Sequence, residues 1–224
     1  MRPLSVYLGY DQRQPLAAQV LAHSLWKAAS VPLAITRIEL RLLPITRRGL
    51  TEFTYSRFLV PYLCDYEGVS LFLDSDILCR ADVLDLLSYP LAYPMCEVFV
   101  VPHAKRFERP SVMVFNNERC RVLTPSYIDD ESHPLMPLEW ATNVGALPPA
   151  WNHLVGYDAP NPDAKLVHFT QGIPCWPETK DCEFAGEWVK AAKSAMSTVS
   201  FQALMGQSVH VRHMKEQAHS AVSL

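Results

Sequence analysis

The apolar positions of this chain change period repeatedly, and each change predicts an element. LSVYLGYD (4–11) is a short apolar run stopped by Gly-Tyr-Asp, which predicts a first strand. PLAAQVLAHSLWKAA (15–29) repeats Leu16, Val20, Leu21, Leu25 and Ala28 at helical spacing. LAITRIELRLL (33–43) alternates Ile35, Arg37, Glu39 and Arg41 against Thr36, Ile38, Leu40 and Leu42, the period of one or two strands. TEFTYSRFLVPYLCDY (51–66) opens on a capping threonine and sets Phe58, Leu59, Tyr62, Leu63 and Tyr66 on one helical stripe, where Pro61 predicts a kink or a late start.

The continuous apolar run Val69–Leu73 follows, a strand buried on both sides, and then a short helix from Asp82 to Leu87. Further strands are expected over 96–103 and 111–117, and a short helix over 123–129 started by Thr124-Pro125. Residues 139–164 read as loop, 165–176 as a strand running into a turn, and 182–196 as an amphipathic helix. Strand–helix–strand alternation early in the chain predicts an α/β fold with a mostly parallel sheet flanked by helices. One domain over 1–196 is expected, with a weakly helical tail over 197–224.

Composition narrows the function classes. With 20 basic against 23 acidic residues in 224, electrostatics give no reason to expect a nucleic-acid partner. No apolar run reaches 18 residues, since LLSYPLAYPMCEVFVVP is broken by prolines and Glu97, so no transmembrane segment is expected. The start of the chain lacks an apolar h-region, and the six cysteines form no C-x-x-C pair. Both observations point to reduced thiols and a cytoplasmic protein. The eight glycines never form G-x-G, which removes the dinucleotide fingerprint and the P-loop, and no G-x-S-x-G elbow is present.

Candidate chemistry centres on LFLDSDIL (71–78), where Asp74 and Asp76 stand at the mouth of the buried strand. Residues i and i+2 of an extended segment point the same way, about 6–7 Å apart at the backbone. Two carboxylates so placed can converge on a hard cation such as Mg²⁺ or Mn²⁺, and a solvated turn is the plain alternative. Ligands of open α/β sheets sit beyond the carboxyl ends of the strands, where Asp74 falls. YSRF (55–58) offers Arg57 as a partner for a carboxylate or phosphate, or as a surface arginine. KLVHFTQGIPCW (165–176) offers His168 as a third ligand, or as a structural imidazole.

Taken in order, VYLGYD, YSRF, LFLDSDIL, SVMVFNN and HFTQGIPCW resemble glycosyltransferase family 8 and its bacterial and phage relatives, which have the GT-A fold. The resemblance covers roughly residues 4–177 and rests on the spacing of the blocks together. It implies a Rossmann-like GT-A domain and Mn²⁺ (or Mg²⁺) held by Asp74, Asp76 and His168. It implies Tyr7, Tyr10 and Asp11 near the base and ribose of a nucleotide sugar, and Arg57 bracing the acidic loop and donor. Ser75, Ser111, Asn116 and Gly172 are further donor contacts on this reading. Glu139 and Asn143, in LEWATN, stand where the family has an acidic-glutamine block. The family's lysine before Pro-Trp has no match in GIPCW.

The activity so implied is retaining transfer of a hexosyl group from a nucleotide diphosphate sugar, UDP-linked on the family pattern, to a glycan, lipid or protein acceptor. Two other readings stay open. A GT-A-like module that binds sugar nucleotide without turnover fits the missing lysine. A haloacid-dehalogenase-type phosphatase fits FLDSDIL, with IDDE (128–131) as its second acidic motif. Peripheral membrane contact by the tail, where His210, Arg212, His213 and Lys215 cluster, is also open.

Overall fold

The strand pattern is realised as two sheets. In the computed structural model, which describes residues 3–196, a six-stranded sheet takes the order β2-β1-β3-β6-β5-β7. Its strands are β1 (Leu4–Gly9), β2 (Leu33–Ile38), β3 (Val69–Leu73), β5 (Val98–Val100), β6 (Val112–Asn116) and β7 (Val144–Ala146). β1 pairs parallel with β2 and β3, and β5 parallel with β7, while β6 runs antiparallel to both its neighbours. Every strand of the sheet except β6 therefore points the same way. A three-stranded sheet joins β4 (Ile77–Cys79), β9 (Leu166–His168) and β8 (His153–Leu154) in that order.

Apolar runs without alternation mark strands covered on both faces, and the side chains divide accordingly. Leu71 and Leu73 of β3, Val112 and Val114 of β6 and Phe99 of β5 face one core, with Leu21 and Leu25 of α1 (Pro15–Ala28). Phe72, Met113, Phe115, Val98 and Val100 face the other, with Phe58, Leu59, Val60 and Ile128 of α4 (Pro125–Asp129). A third cluster packs Ala17 and Val20 of α1, Val167 of β9, and Trp188 and Ala192 of α5 (Ala185–Ala195). Two compact units are distinguished, Met1–Ala192 and Lys193–Leu224, and the first holds every strand named here. The helical tail expected over 197–224, with its His and basic residues, lies outside the described residues.

Local chemistry explains where elements differ from the pattern. The stripe over 51–66 becomes a 3-10 turn, Ser56–Leu59, followed by the short α2 (Val60–Leu63). Pro61 has no N–H and sits in the first turn of α2, where none is needed. The chain then reverses through Asp65 and Tyr66, both at positive φ, into β3. The helix expected at 82–87 is a 3-10 turn whose Asp82 carboxylate accepts the Leu84 N–H. A brief helix, α3 (Ser88–Ala92), follows it. The loop-rich 139–164 stretch hides β7 and β8, which are too short to show periodicity.

Candidate metal centre at the carboxyl end of the third strand

Topology brings the site together. β3 ends at Leu73, whose partner on β6 is Val112, so the turn leading into β6 lies beside Asp74. There the Asp74 N–H donates to Ser111 O at 2.9 Å. Three residues later β4 pairs antiparallel with β9, setting Ile77 opposite His168, and the Phe169 N–H donates to Asp76 O at 3.0 Å. Ligand atoms of Asp74, Asp76 and His168 consequently lie within 4.8 Å of one another, despite the long stretch of chain between them.

Arg57 fixes the first carboxylate. Its guanidinium is buried, donating to Pro110 O at 2.9 Å and Phe53 O at 3.2 Å, with Phe53 and Phe72 rings against it. Nη1 donates a long hydrogen bond of 3.4 Å to Asp74 Oδ2. Oδ1 is nearer, 3.1 Å from Nη1, but off the line of an N–H bond, and this oxygen has no hydrogen-bond partner. Asp76 Oδ1 is in the same state, 3.3 Å from His168 Nε2 and without a hydrogen-bond partner. Buried carboxylate oxygens are costly to leave bare. The donor set, two carboxylates and an imidazole, is one that Mn²⁺ or Mg²⁺ accepts. The residues fit a hard divalent cation.

Electrostatics agree with that fit. Burial pushes the Asp74 carboxyl up to about 6; Arg57 and His168 oppose the rise, and Asp76 and Glu108 add to it. Burial works to lower the His168 value, but Asp76, Asp74 and Glu108 outweigh it and hold the imidazole above its ordinary value. The cluster carries more negative charge than Arg57 cancels.

Two groups in the centre carry no sequence signal. Glu108, in the 3-10 segment Arg106–Ser111, is buried and accepts from Ser111 Oγ at 3.2 Å. Asn152, ending the Pro149–Asn152 turn, sets its Oδ1 3.1 Å from His168 Nδ1. Both lie in proline-containing loops and reach the site only through the sheet pairing.

The other candidates fall in distinct places. Ser75 and Ser111 are buried at the centre itself. Tyr10 and Asp11 follow the end of β1; the Arg37 guanidinium lies 4.7 Å from the Tyr10 ring. Arg13 grips the Asp11 carboxylate at 2.6 Å and holds it below the usual carboxylate range. Tyr7 faces α2, its hydroxyl accepting from Cys64 Sγ at 3.3 Å, and burial pushes its phenol upward. Gly172, at φ +114, turns the chain after β9, with its N–H on Phe169 O.

Asn116 and Asn143 lie at the other end of the sheet. Because β6 is antiparallel, Asn116 lies opposite Val69, at the start of β3, and donates to Pro94 O. The four steps of strand between it and Val112 span about 14 Å. Asn143 precedes β7 and exchanges hydrogen bonds with Glu97 before β5, at that same far edge. Glu139 is exposed between Leu138 and Trp140, whose ring packs on Phe58 and Phe115.

The acidic motif of the phosphatase reading is also elsewhere. Asp129 accepts the N–H groups of Thr46 and Arg47, Asp130 accepts from Ser132, and Ile128 is buried in the second core. No second acidic pair from IDDE meets Asp74.

No protein-family model matches the chain. Among solved structures, the glycosyltransferase GlyE of Streptococcus pneumoniae TIGR4 superposes with a TM-score of 0.66 at 16% identity, over 92% of this chain. The galactosyltransferase LgtC, in complex with donor and acceptor sugar analogs, gives 0.57 at 12% identity, over 89% of this chain and 99% of its own. The chain spans 63% of GlyE and about half, 51%, of the bifunctional glycosyltransferase WbbM. These likenesses establish the GT-A fold. In sequence the chain is 32% identical over 226 aligned residues to Protein CDI of Arabidopsis thaliana, covering 84% of this chain and 85% of that protein. The chain belongs to the Protein CDI family and has a GT-A fold.

Proposed function

We propose that the protein is a metal-dependent glycosyltransferase that moves a hexosyl group from a UDP-linked sugar, with retention at the anomeric carbon, to a hydroxyl of a glycan, lipid or protein. The observation that carries the reading is the convergence of Asp74, Asp76 and His168 beyond β3, with two buried carboxylate oxygens lacking hydrogen-bond partners. The glycosyltransferase neighbours of the fold support it.

Asp74, Asp76 and His168 would hold Mn²⁺ or Mg²⁺, which supplies Lewis-acid stabilisation of the charge growing on a departing diphosphate. The chain's own groups bind and orient. Arg57 ties Asp74 to the Phe53 and Pro110 carbonyls, so the acidic turn is rigid before a donor arrives. Tyr10 and Asp11, at the end of β1, take the base and ribose, where an ionised Asp11 accepts hydrogen bonds from the ribose hydroxyls. Ser111 and Ser75 border the diphosphate and sugar, and the turn at Gly172 closes the far side. All six cysteines are free thiols, which supports a cytoplasmic setting, and no described helix is long and apolar enough to cross a membrane.

The lysine that the resembled family carries before Pro-Trp has no match in GIPCW, and this favours a second reading as a sugar-nucleotide-binding module without turnover. UDP release from UDP-hexoses, with and without Mn²⁺, tests both. Metal-dependent release that Asp76→Asn abolishes supports the transferase. Metal-dependent donor binding with no release supports the module. If neither binding nor release responds to Mn²⁺, the proposal fails.

A further inference from the structure

Behind the imidazole, one amide closes a network. Asn152 is fully buried, and three of its polar groups have partners of their own. Its Nδ2 donates to Glu108 O at 3.1 Å, its backbone oxygen lies 2.7 Å from His103 Nε2, and its Oδ1 lies 3.1 Å from His168 Nδ1. The carbonyl of Glu108 has no proton to give, so only the amide nitrogen can face it. Turning the amide over would set two acceptors against each other. Oδ1 is therefore the atom at His168, and only a protonated Nδ1 satisfies it.

A neutral imidazole has a single N–H. With that proton on Nδ1, Nε2 keeps its lone pair, and Nε2 is the atom 3.3 Å from Asp76 Oδ1. Two acceptors at that distance repel each other unless positive charge stands between them. Glu108 Oε2, at 3.9 Å from Nδ1, is too far to take over the role of Asn152.

We infer that Asn152 is a positioning residue that sets the His168 tautomer and so reserves Nε2 for a divalent cation shared with Asp74 and Asp76. The inference rests on the reading of that cluster as a metal site. A group hydrogen-bonded to the far nitrogen of a ligating histidine fixes both the tautomer and the ring, and its loss costs about 10–100-fold in metal affinity.

Ring-¹⁵N spectra and calorimetric titration with Mn²⁺ alone, on the full chain, test it. At a pH where the imidazole is neutral, the His168 signal of the metal-free native protein should show the proton on Nδ1. Asn152→Leu, which offers no acceptor, should lose that preference and weaken Mn²⁺ binding about 10–100-fold. Asn152→Asp keeps an acceptor toward Nδ1 but drops the donor toward Glu108, and should retain both tautomer and affinity. A group that only braces the Glu108 turn would fail in both variants. A native Nε2–H tautomer overturns the inference even if Asn152→Leu does not fold. Native Mn²⁺ binding that ignores Asn152→Leu contradicts this inference alone. Absence of Mn²⁺ binding to a native protein with the stated tautomer contradicts the metal reading, and with it the purpose assigned to Asn152.

Discussion

Asp76 is the residue whose loss separates binding from folding most cleanly. It is partly exposed, and its Oδ1 has no hydrogen-bond partner, so Asp76→Asn removes a ligand and relieves repulsion without opening a cavity. Mn²⁺ affinity measured by calorimetry should fall more than about 100-fold, beyond what losing a partner of a ligand costs, while the thermal midpoint holds or rises. Arg57 is the opposite case. Arg57→Leu strands a buried carboxylate and should cost about 3–5 kcal/mol in denaturant unfolding, and adding Asp74→Asn should return part of it. Equal stability of the two Arg57 variants would show that the Asp74 charge is not what Arg57 compensates.

The same groups set a pH dependence in the metal-free protein. Folded Asp74 titrates at about 6, above the unfolded value of about 3.9. The folded state binds the extra proton, so stability falls as pH rises between about 4 and 6, by up to about 3 kcal/mol. His168, also raised, contributes stability that is complete below its unfolded value of about 6.5 and is lost as pH climbs through the folded value. Both terms have one sign. The native protein should be less stable at pH 8 than at pH 5 in chemical denaturation, and Asp74→Asn should flatten the difference. An unchanged pH slope in that variant would contradict the assignment. At this scale, sequence singled out Asp74, Asp76 and His168 because charged and imidazole side chains beside apolar strands are conspicuous. Glu108 and Asn152 were invisible because polar residues in proline-containing loops are ordinary.

Elements were legible in proportion to their length. The helix α1 and the strands β1, β3 and β6 follow directly from periodicity and from apolar runs buried on both faces. β7 and β8 were missed because two or three residues carry no period. The direction of β6 was not readable either, since an apolar run looks the same from both ends, and that direction is what sends Asn116 away from Ser111. β7 depends on close packing. Gly145 pairs with Phe99 of β5, and a Cβ there would run into the Phe99 ring, which is buried. Gly145→Ala should destabilise the protein by about 1–3 kcal/mol in denaturant unfolding. It should leave Mn²⁺ affinity unchanged, because Val98 and Val144 pair near the sheet edge opposite Asp74. Lost metal binding in a folded Gly145→Ala protein would show that the two edges are coupled.

For the whole molecule, the arrangement of strands converts scattered side chains into one centre. Reversal of β6 carries Ser111 and Glu108 to the end of β3, and the β4–β9 pairing carries His168 there. The fold and the identity of the three candidate ligands were foreseeable from ordered motifs; their mutual geometry required the topology. Diffraction from crystals soaked with Mn²⁺ and a UDP-hexose, collected at the manganese edge, tests the central claim most directly. One anomalous peak is expected within bonding distance of Asp74, Asp76 and His168 Nε2, with diphosphate oxygens completing its coordination. A manganese peak elsewhere, or a bound diphosphate with no manganese at these three side chains, would contradict it.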